Sequence, residues 1–323
     1  MQNVKVGVIG VGVLGRHHAR LYTQCPSADL IGVYDCDRAR AAQIAEEFGT
    51  RAFDSVEELV GEIEAASVAV PTDRHFDVVS QLFDRGRHAL VEKPLAGTVP
   101  EARELVEKAA RTNLALGVGH VERFNPVLAC LNGVSGEPRF IEAQRLASYP
   151  PPRPGLHPRG TEVSVVLDLM IHDLDVILDL VQSPVTAVDA VGVSILSPTE
   201  DIASAHLQFE NGCVANVTAS RVSQEQLRKI RLFKSNAYLS LDYGRHTGEM
   251  AWLEEGGIRR EPVPVHESNA LQDELDDFCR SVLARRGGEE ASAAEPRVSG
   301  LAALKALELA DRILNKIHAR AQK

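Results

Sequence analysis

The sequence predicts an α/β chain in two parts: a doubly wound parallel sheet over residues 1–120, then an α+β part with an open, mainly antiparallel sheet over 121–323. Three observations predict it. Short, fully apolar strand signals alternate with helix signals through the first third, as expected for a parallel sheet covered on both faces. A GxGxxG segment falls between the first strand and the first helix. Beyond about residue 185 the apolar residues adopt period 2, the spacing of strands with one covered face.

In chain order, strands are predicted over 4–9, 29–34, 66–70, 88–92 and 114–118, with helices over 14–24, 38–48, 73–85 and 99–112. Asp37, Thr72 and Thr98 stand where side-chain oxygens would satisfy the first free N–H groups of three of these helices. A Pro- and Arg-rich loop over 149–160 leads into a long helix over 163–182. Residues 202–220 then alternate about Asn211-Gly212, a hairpin turn signal, and two helices over 267–284 and 297–319 close the chain.

Composition sets limits on partners. With 323 residues, 44% hydrophobic and 25% charged, the chain has ample core for two domains. A formal charge of -10 argues against a nucleic-acid partner, because that affinity rests on a basic face; any phosphate contact is local. Five cysteines, at 25, 36, 130, 213 and 279, are scattered, odd in number and without a CxxC pair. They predict reduced thiols in a cytoplasm and no metal site. The N-terminus runs straight into the first strand, and no apolar run approaches the ~20 residues that membrane insertion requires.

The GxGxxG segment is Gly10-Val11-Gly12-Val13-Leu14-Gly15. A turn of this kind uses one glycine for the bend, one to let a pyrophosphate approach the backbone and one for close helix packing. Asp35 follows twenty residues later at the end of the second strand. A carboxylate there accepts from the adenosine ribose and repels a 2′-phosphate, which favours NAD over NADP, although Arg38 and Arg40 keep NADP open. Pro71-Thr72 ends another strand and places His75 either toward the cofactor or simply at a helix start. His17 and His18 diverge by ~100° on a helix, so they cannot share an ion and are expected at the surface or in packing.

Lys93, in Leu90-Val91-Glu92-Lys93-Pro94, stands at the strand end from which such sheets do chemistry. On the long helix, Asp168, His172, Asp175 and Asp179 fall within a stripe some 60° wide, either a solvent-facing side or one facing a cavity. The i, i+4 spacing lets Asp168 and His172 act on one molecule.

The glycine turn, the Glu92-Lys93-Pro94 tripeptide and Asp168-x-x-x-His172 together resemble the Gfo/Idh/MocA oxidoreductase family over essentially the whole chain. The resemblance implies an N-terminal Rossmann domain, a sheet domain through which homodimers or homotetramers form, and NAD(P)-dependent oxidation of a sugar or cyclitol hydroxyl. It implies Lys93 as active-site lysine, Asp168 and His172 as its acid and base partners, and a cofactor site that includes Pro71, Thr72, His75, Glu92 and Lys93. One departure is Met170, where the family often has glycine two residues after the aspartate.

The chemistry constrains the roles. Removing a hydride from a secondary alcohol requires its hydroxyl proton to leave, so a base near neutrality is needed. An ordinary histidine, near 6.5, qualifies, whereas an ordinary lysine would have to be lowered by roughly three units. His172 is therefore read as the base, Lys93 as an electrostatic and orienting group, and Asp168 as a positioning carboxylate, with the roles of Lys93 and His172 open to exchange.

Gly119-His120-Val121-Glu122-Arg123-Phe124-Asn125-Pro126 and the run from Arg159 to Asp173 are similar to a branch of the family that oxidises nucleotide sugars, UDP-N-acetylglucosamine at C3 among them. That branch implies a UDP-sugar substrate and a 3-keto product for a pathway aminotransferase. Arg153, His157 and Arg159 in the Pro-rich loop, with Arg123, either supply the local positive charge a diphosphate wants or are solvated loop residues, and Asn125 is a further candidate substrate contact. Free cyclitols or aldoses, UDP-N-acetylglucosaminuronate, or a non-enzymatic dinucleotide sensor are the alternatives.

Overall fold

Six short strands of the first unit form one wholly parallel sheet in the computed structural model, which describes residues 3–133, 136–152, 158, 160–289 and 293–321. They are β1 (Val4–Ile9), β2 (Ala28–Tyr34), β3 (Arg51–Ala52), β4 (Ala65–Val68), β5 (His88–Val91) and β6 (Leu116–Val118), in the order β3-β2-β1-β4-β5-β6. The order reverses between β1 and β4, and the crevice beyond their carboxyl ends is where such sheets hold ligands.

Helices α1 (Val13–Tyr22), α2 (Arg38–Phe48), α3 (Val56–Glu62), α4 (His75–Asp84) and α5 (Val99–Thr112) connect the strands. Local chemistry sets their starts. Asp37 accepts from Arg40 N–H, Ser55 from Glu58 N–H, and Thr98 forms a capping box with Glu101. Thr72 instead opens a 3₁₀ turn, Thr72–Arg74, and α4 starts without a side-chain cap. The sequence pattern missed β3 and α3, which are two and seven residues long and too short to show a period.

The expected division after residue 120 is replaced by an interleaved one. Met1–Phe124 forms a unit with Asn269–Leu304, and Asn125–Ser268 forms another with Lys305–Lys323. The reason is packing: α7 (Ala270–Arg286) carries Leu275, Phe278, Cys279 and Val282 into the core built on Val4, Val6 and Val8.

The second unit is an eight-stranded sheet, β14-β13-β12-β11-β7-β10-β9-β8. Its strands are β7 (Pro138–Leu146), β8 (Val185–Val193), β9 (Ile202–Phe209), β10 (Val214–Ser220), β11 (Leu227–Lys234), β12 (Ala237–Asp242), β13 (Thr247–Glu254) and β14 (Gly257–Pro262). Every pairing is antiparallel except β7 with β10. β7 was not predicted, because its inward positions include Ala143 and a buried Arg145. Asn211-Gly212 turns β9 into β10 as expected, with Gly212 at φ 83°.

One face of this sheet, rich in Ala203, Ala205, Ala215 and Ala219, packs with α6 (Ile171–Val181) and the later turns of α8 (Gly300–Ala321). Small inward residues let helices lie close to strands. The predicted long helix is divided: Val166–Met170 forms a π turn, and the α-helix begins at Ile171. No helix among the described residues is long and apolar enough to cross a membrane.

His88, at the start of β5, accepts from Ala115 N–H through Nδ1 at 2.9 Å. Burial, reinforced by the charge of Arg285 and opposed by Glu64, lowers its pKa to about 4. The unfolded chain takes up this proton near pH 6.5, and the folded one resists until about 4. Stability is therefore lost as pH falls through that window, by up to about 3 kcal/mol. In His88→Asn, whose side-chain oxygen can accept the same bond, denaturant midpoints measured between about pH 7 and about pH 4.5 should fall by less than in wild type.

Candidate active site

The carboxyl ends of β1, β2 and β5 carry the first group of predicted residues. Gly10 turns the chain out of β1 at φ 85°, and a Cβ there would meet the Ala69 carbonyl oxygen at 2.8 Å. A Cβ at Gly15 would lie 1.8 Å from the Gly10 carbonyl oxygen, so only glycine lets α1 pack at this depth. Gly12 has nothing within 4 Å of the same position, which leaves room for a ligand. It begins α1 without a side-chain cap, and Val13 and Leu14 are exposed at 65% and 37%. Uncapped N–H groups at an open helix start suit a pyrophosphate.

Asp35 faces this turn from the end of β2. Its Oδ2 accepts from Val11 N–H at 2.8 Å and its Oδ1 from Asp37 N–H at 2.9 Å. Two carboxylate oxygens have lone pairs beyond these bonds, enough to accept from ribose hydroxyls. Arg40 lies 3.7 Å from Oδ2 and also pairs with Asp37. These residues fit a dinucleotide.

Glu92, Lys93 and Pro94 leave β5 at the same edge of the sheet, with the Lys93–Pro94 peptide bond cis and Lys93 half-buried. Of the two histidines expected at the surface or in packing, His18 is packed inside, with polar partners on both sides of its ring. Its ring is 1% exposed, with Nδ1 3.1 Å from Ser67 Oγ and Nε2 3.0 Å from Glu92 Oε1. Sequence missed this because the bond joins residues 74 apart; an i, i+3 spacing from Gly15 was the available signal. Burial would raise the Glu92 pKa, but the hydrogen bond from His18 and the charge of Lys93 hold it below the usual carboxylate value.

His75 is turned inward, 1% exposed, with Nδ1 2.9 Å from the Pro94 carbonyl oxygen and Nε2 3.0 Å from that of Val70. Burial lowers its pKa against the pull of those two carbonyls. Its ring thus lies between the turn after β4 and the turn after β5, with a backbone carbonyl on each side, and a neutral ring donates to one of the two at a time. Pro71 is exposed and Thr72 half-buried at the start of the 3₁₀ turn.

In the second unit, Asp168 lies in the π turn and His172 in the first turn of α6; both are half-buried. A π turn advances the chain by five residues where an α turn takes four, so the stripe counted at ~100° does not hold across it. Asp175 is buried and Asp179 half-buried, so the stripe is not a solvent-facing side. Asp173, outside the predicted set, forms a buried ion pair with Arg145 at 2.8 Å. Met170 is fully buried in the core beside Leu174 and Ile177, so its bulk packs.

Asp168 lies against Gly160, where a Cβ would approach its Oδ2 to 2.5 Å and where φ is 84°. That segment is stapled by Arg221, itself buried. Arg221 bonds Asp201 at 2.9 Å and donates to the carbonyls of Gly160, Val163 and Glu200 and to the Thr199 hydroxyl. Asp201 also accepts from the N–H groups of Ile195, Leu196 and Ser197 and from the Ser197 hydroxyl; against burial, that hydroxyl, the Leu196 N–H, Arg221 and the Ile195 N–H hold its carboxyl well below the ordinary range.

Arg123 is buried in the 3₁₀ turn after β6. Asn125 is buried too, donating to the Tyr243 carbonyl at 3.2 Å and accepting from Val127 N–H. Arg153, His157 and Arg159 lie outside the described residues. A cavity of about 350 Å³, lined by Glu64, His88, Asn113, Arg285 and Arg286, opens at the amino ends of β4 to β6, away from the glycine turn.

The model of an oxidoreductase family with an NAD-binding Rossmann fold matches residues 4–120, and that of the GFO/IDH/MocA C-terminal domain matches 129–240. The chain is 38% identical over 293 residues to the UDP-N-acetylglucosamine 3-dehydrogenase of Acidithiobacillus ferrooxidans, covering 88% of this chain and 91% of that protein. The solved structure of that enzyme superposes with a TM-score of 0.89 at 36% identity, over 99% of each chain. The scyllo-inositol 2-dehydrogenase (NAD(+)) of Bacillus subtilis is 30% identical over 235 residues, 68% of each. The chain belongs to the Gfo/Idh/MocA family of NAD-binding oxidoreductases.

Proposed function

We propose that this oxidoreductase oxidises the C3 hydroxyl of UDP-N-acetylglucosamine with NAD, giving a 3-keto sugar nucleotide that a pathway aminotransferase consumes in making a lipid A amino sugar. The observation that carries the reading is the 38% identity to an enzyme of that activity, sustained over 88% of the chain. The resemblance to the scyllo-inositol 2-dehydrogenase, 30% identical over 68% of the chain, is weaker and covers less.

Bound NAD supplies the hydride acceptor. Asp35 holds the adenosine ribose and disfavours a 2′-phosphate, an effect that Arg40 at 3.7 Å moderates. His172 takes the hydroxyl proton, Lys93 donates a hydrogen bond to the substrate oxygen as negative charge develops on it, and Asp168 orients the sugar. Arg123, Asn125, Arg153 and Arg159 remain the proposed contacts to the nucleotide sugar. Arginines suit a diphosphate because their donors are planar and paired. Five free cysteines fit a reducing, cytoplasmic compartment.

The outer face of the eight-stranded sheet supports self-association. It carries the ring cluster Phe140, Phe233 and Tyr238, with centroids 5.5 and 4.9 Å apart and Phe233 exposed at 38%. Apolar surface of this kind on the outer face of a sheet suits a second copy.

Three measurements check these readings. Incubation with NAD and a panel of UDP-sugars and free polyols, followed by reduced nicotinamide absorbance and pulled by a coupled aminotransferase, should show turnover of UDP-N-acetylglucosamine; turnover of a polyol alone rejects the substrate. His172→Ala should lower kcat by roughly 10²–10⁴ and remove the fall in rate on the acid side, since a general base works only when neutral; an unchanged acid limb assigns the proton elsewhere. Phe233→Arg should shift the light-scattering mass toward the monomer, and an unchanged mass removes that face from the interface.

A further inference from the structure

His18 is a buried titratable group for which the proposed chemistry has no use. Gly15, His18 and Tyr22 share one stripe of α1, spaced three and four residues apart. The Gly15 contact sets that stripe deep against the sheet. Tyr22 Oη lies 2.8 Å from Ser67 Oγ, Ser67 Oγ lies 3.1 Å from His18 Nδ1, and His18 Nε2 lies 3.0 Å from Glu92 Oε1. With the ring proton on Nε2, every donor in the chain has an acceptor: Tyr22 donates to Ser67, Ser67 to Nδ1, and Nε2–H to Glu92. Tyr22 and Ser67 are themselves buried.

We propose that His18 is a positioning residue for Lys93: the Tyr22–Ser67–His18 chain holds Glu92 fixed and anionic, so that the backbone leaves β5 toward Lys93 in one place with a carboxylate beside it. The surroundings of Glu92 support this. His18 reaches it from α1, and Lys93, whose charge acts on it, follows it in the chain. The backbone after β6 lies close on another side, where a Cβ at Gly119 would come 3.0 Å from Glu92 Oε2. A carboxylate enclosed in this way keeps its charge only while donors face it. An apolar residue could fill the space of His18, but it could not supply the N–H.

The positioning role rests on the reading of Lys93 as the group that acts on substrate, so one measurement leaves activity aside. In protein labelled with ¹³C at the glutamate carboxyl, the Glu92 resonance is assigned by its loss in Glu92→Gln and titrated. Its midpoint should rise by about one pH unit in His18→Leu, and most of that rise should be reversed in His18→Gln, which retains an N–H donor. In the coupled assay, kcat for UDP-N-acetylglucosamine should fall at least about tenfold in His18→Leu and recover in His18→Gln, while KM for NAD stays within about twofold.

An unmoved Glu92 midpoint in His18→Leu overturns the proposal. So does a moved midpoint with kcat unchanged. If the midpoint moves while wild-type protein turns over no UDP-sugar, the substrate reading fails and the hold on Glu92 stands. Should His18→Leu not fold, Ser67→Ala removes the far partner of the ring, and the midpoint should move in the same direction by less.

Discussion

The first unit depends on how closely α1 lies on β1. At Gly15 there is space for a hydrogen and nothing larger, since a Cβ would overlap the Gly10 carbonyl oxygen at 1.8 Å. That one contact sets the depth of everything further along the same helical stripe. His18 can reach Ser67 and Glu92 only because the helix is this near the sheet, and Tyr22 closes the chain behind it. The same contact brings the uncapped start of α1 to the carboxyl edge, where Asp35 fastens the turn through Val11 N–H. A steric limit at one residue thus places both the edge that suits a dinucleotide and the carboxylate that precedes Lys93.

The second unit meets a different problem, which is to hold irregular backbone firmly beside a sheet. It uses buried charge. Arg221 with Asp201, and Arg145 with Asp173, are ion pairs almost without solvent contact. Such pairs contribute little net stability, but removing one partner costs about 3–5 kcal/mol because the other is left buried. Their value lies in geometry: Arg221 gathers carbonyls from Gly160, Val163 and Glu200. The loop on which the Asp168 carboxylate rests is therefore defined by bonds to the sheet.

Much of this was legible in the sequence, and the residues show why. The glycine turn, the capping box at Thr98 and the Asn211-Gly212 turn are local features in which a few adjacent residues fix the backbone. His18 was read as surface or packing, because helical phase cannot reveal a partner 74 residues away. His75 was placed near the ligand edge by its position after β4, while its ring orientation depends on the carbonyls of Val70 and Pro94. The π turn has the composition of an ordinary helix, so the ~100° count holds for His172, Asp175 and Asp179 in α6 but does not carry back to Asp168.

The sequence by itself determined that the apolar strands of the first unit are parallel and buried, where the glycine turn bends, that Asp37 and Thr98 cap their helices, and which family the residues resemble. These follow from backbone sterics and from apolar periodicity, both properties of neighbouring residues. Tertiary structure decided that α7 packs with the first unit, that β7 pairs in parallel with β10, and that His18 and Arg221 are buried against Glu92 and Asp201. Those outcomes depend on desolvation and on partners distant in the chain, and a polar side chain acquires its role only when folding chooses what lies opposite it.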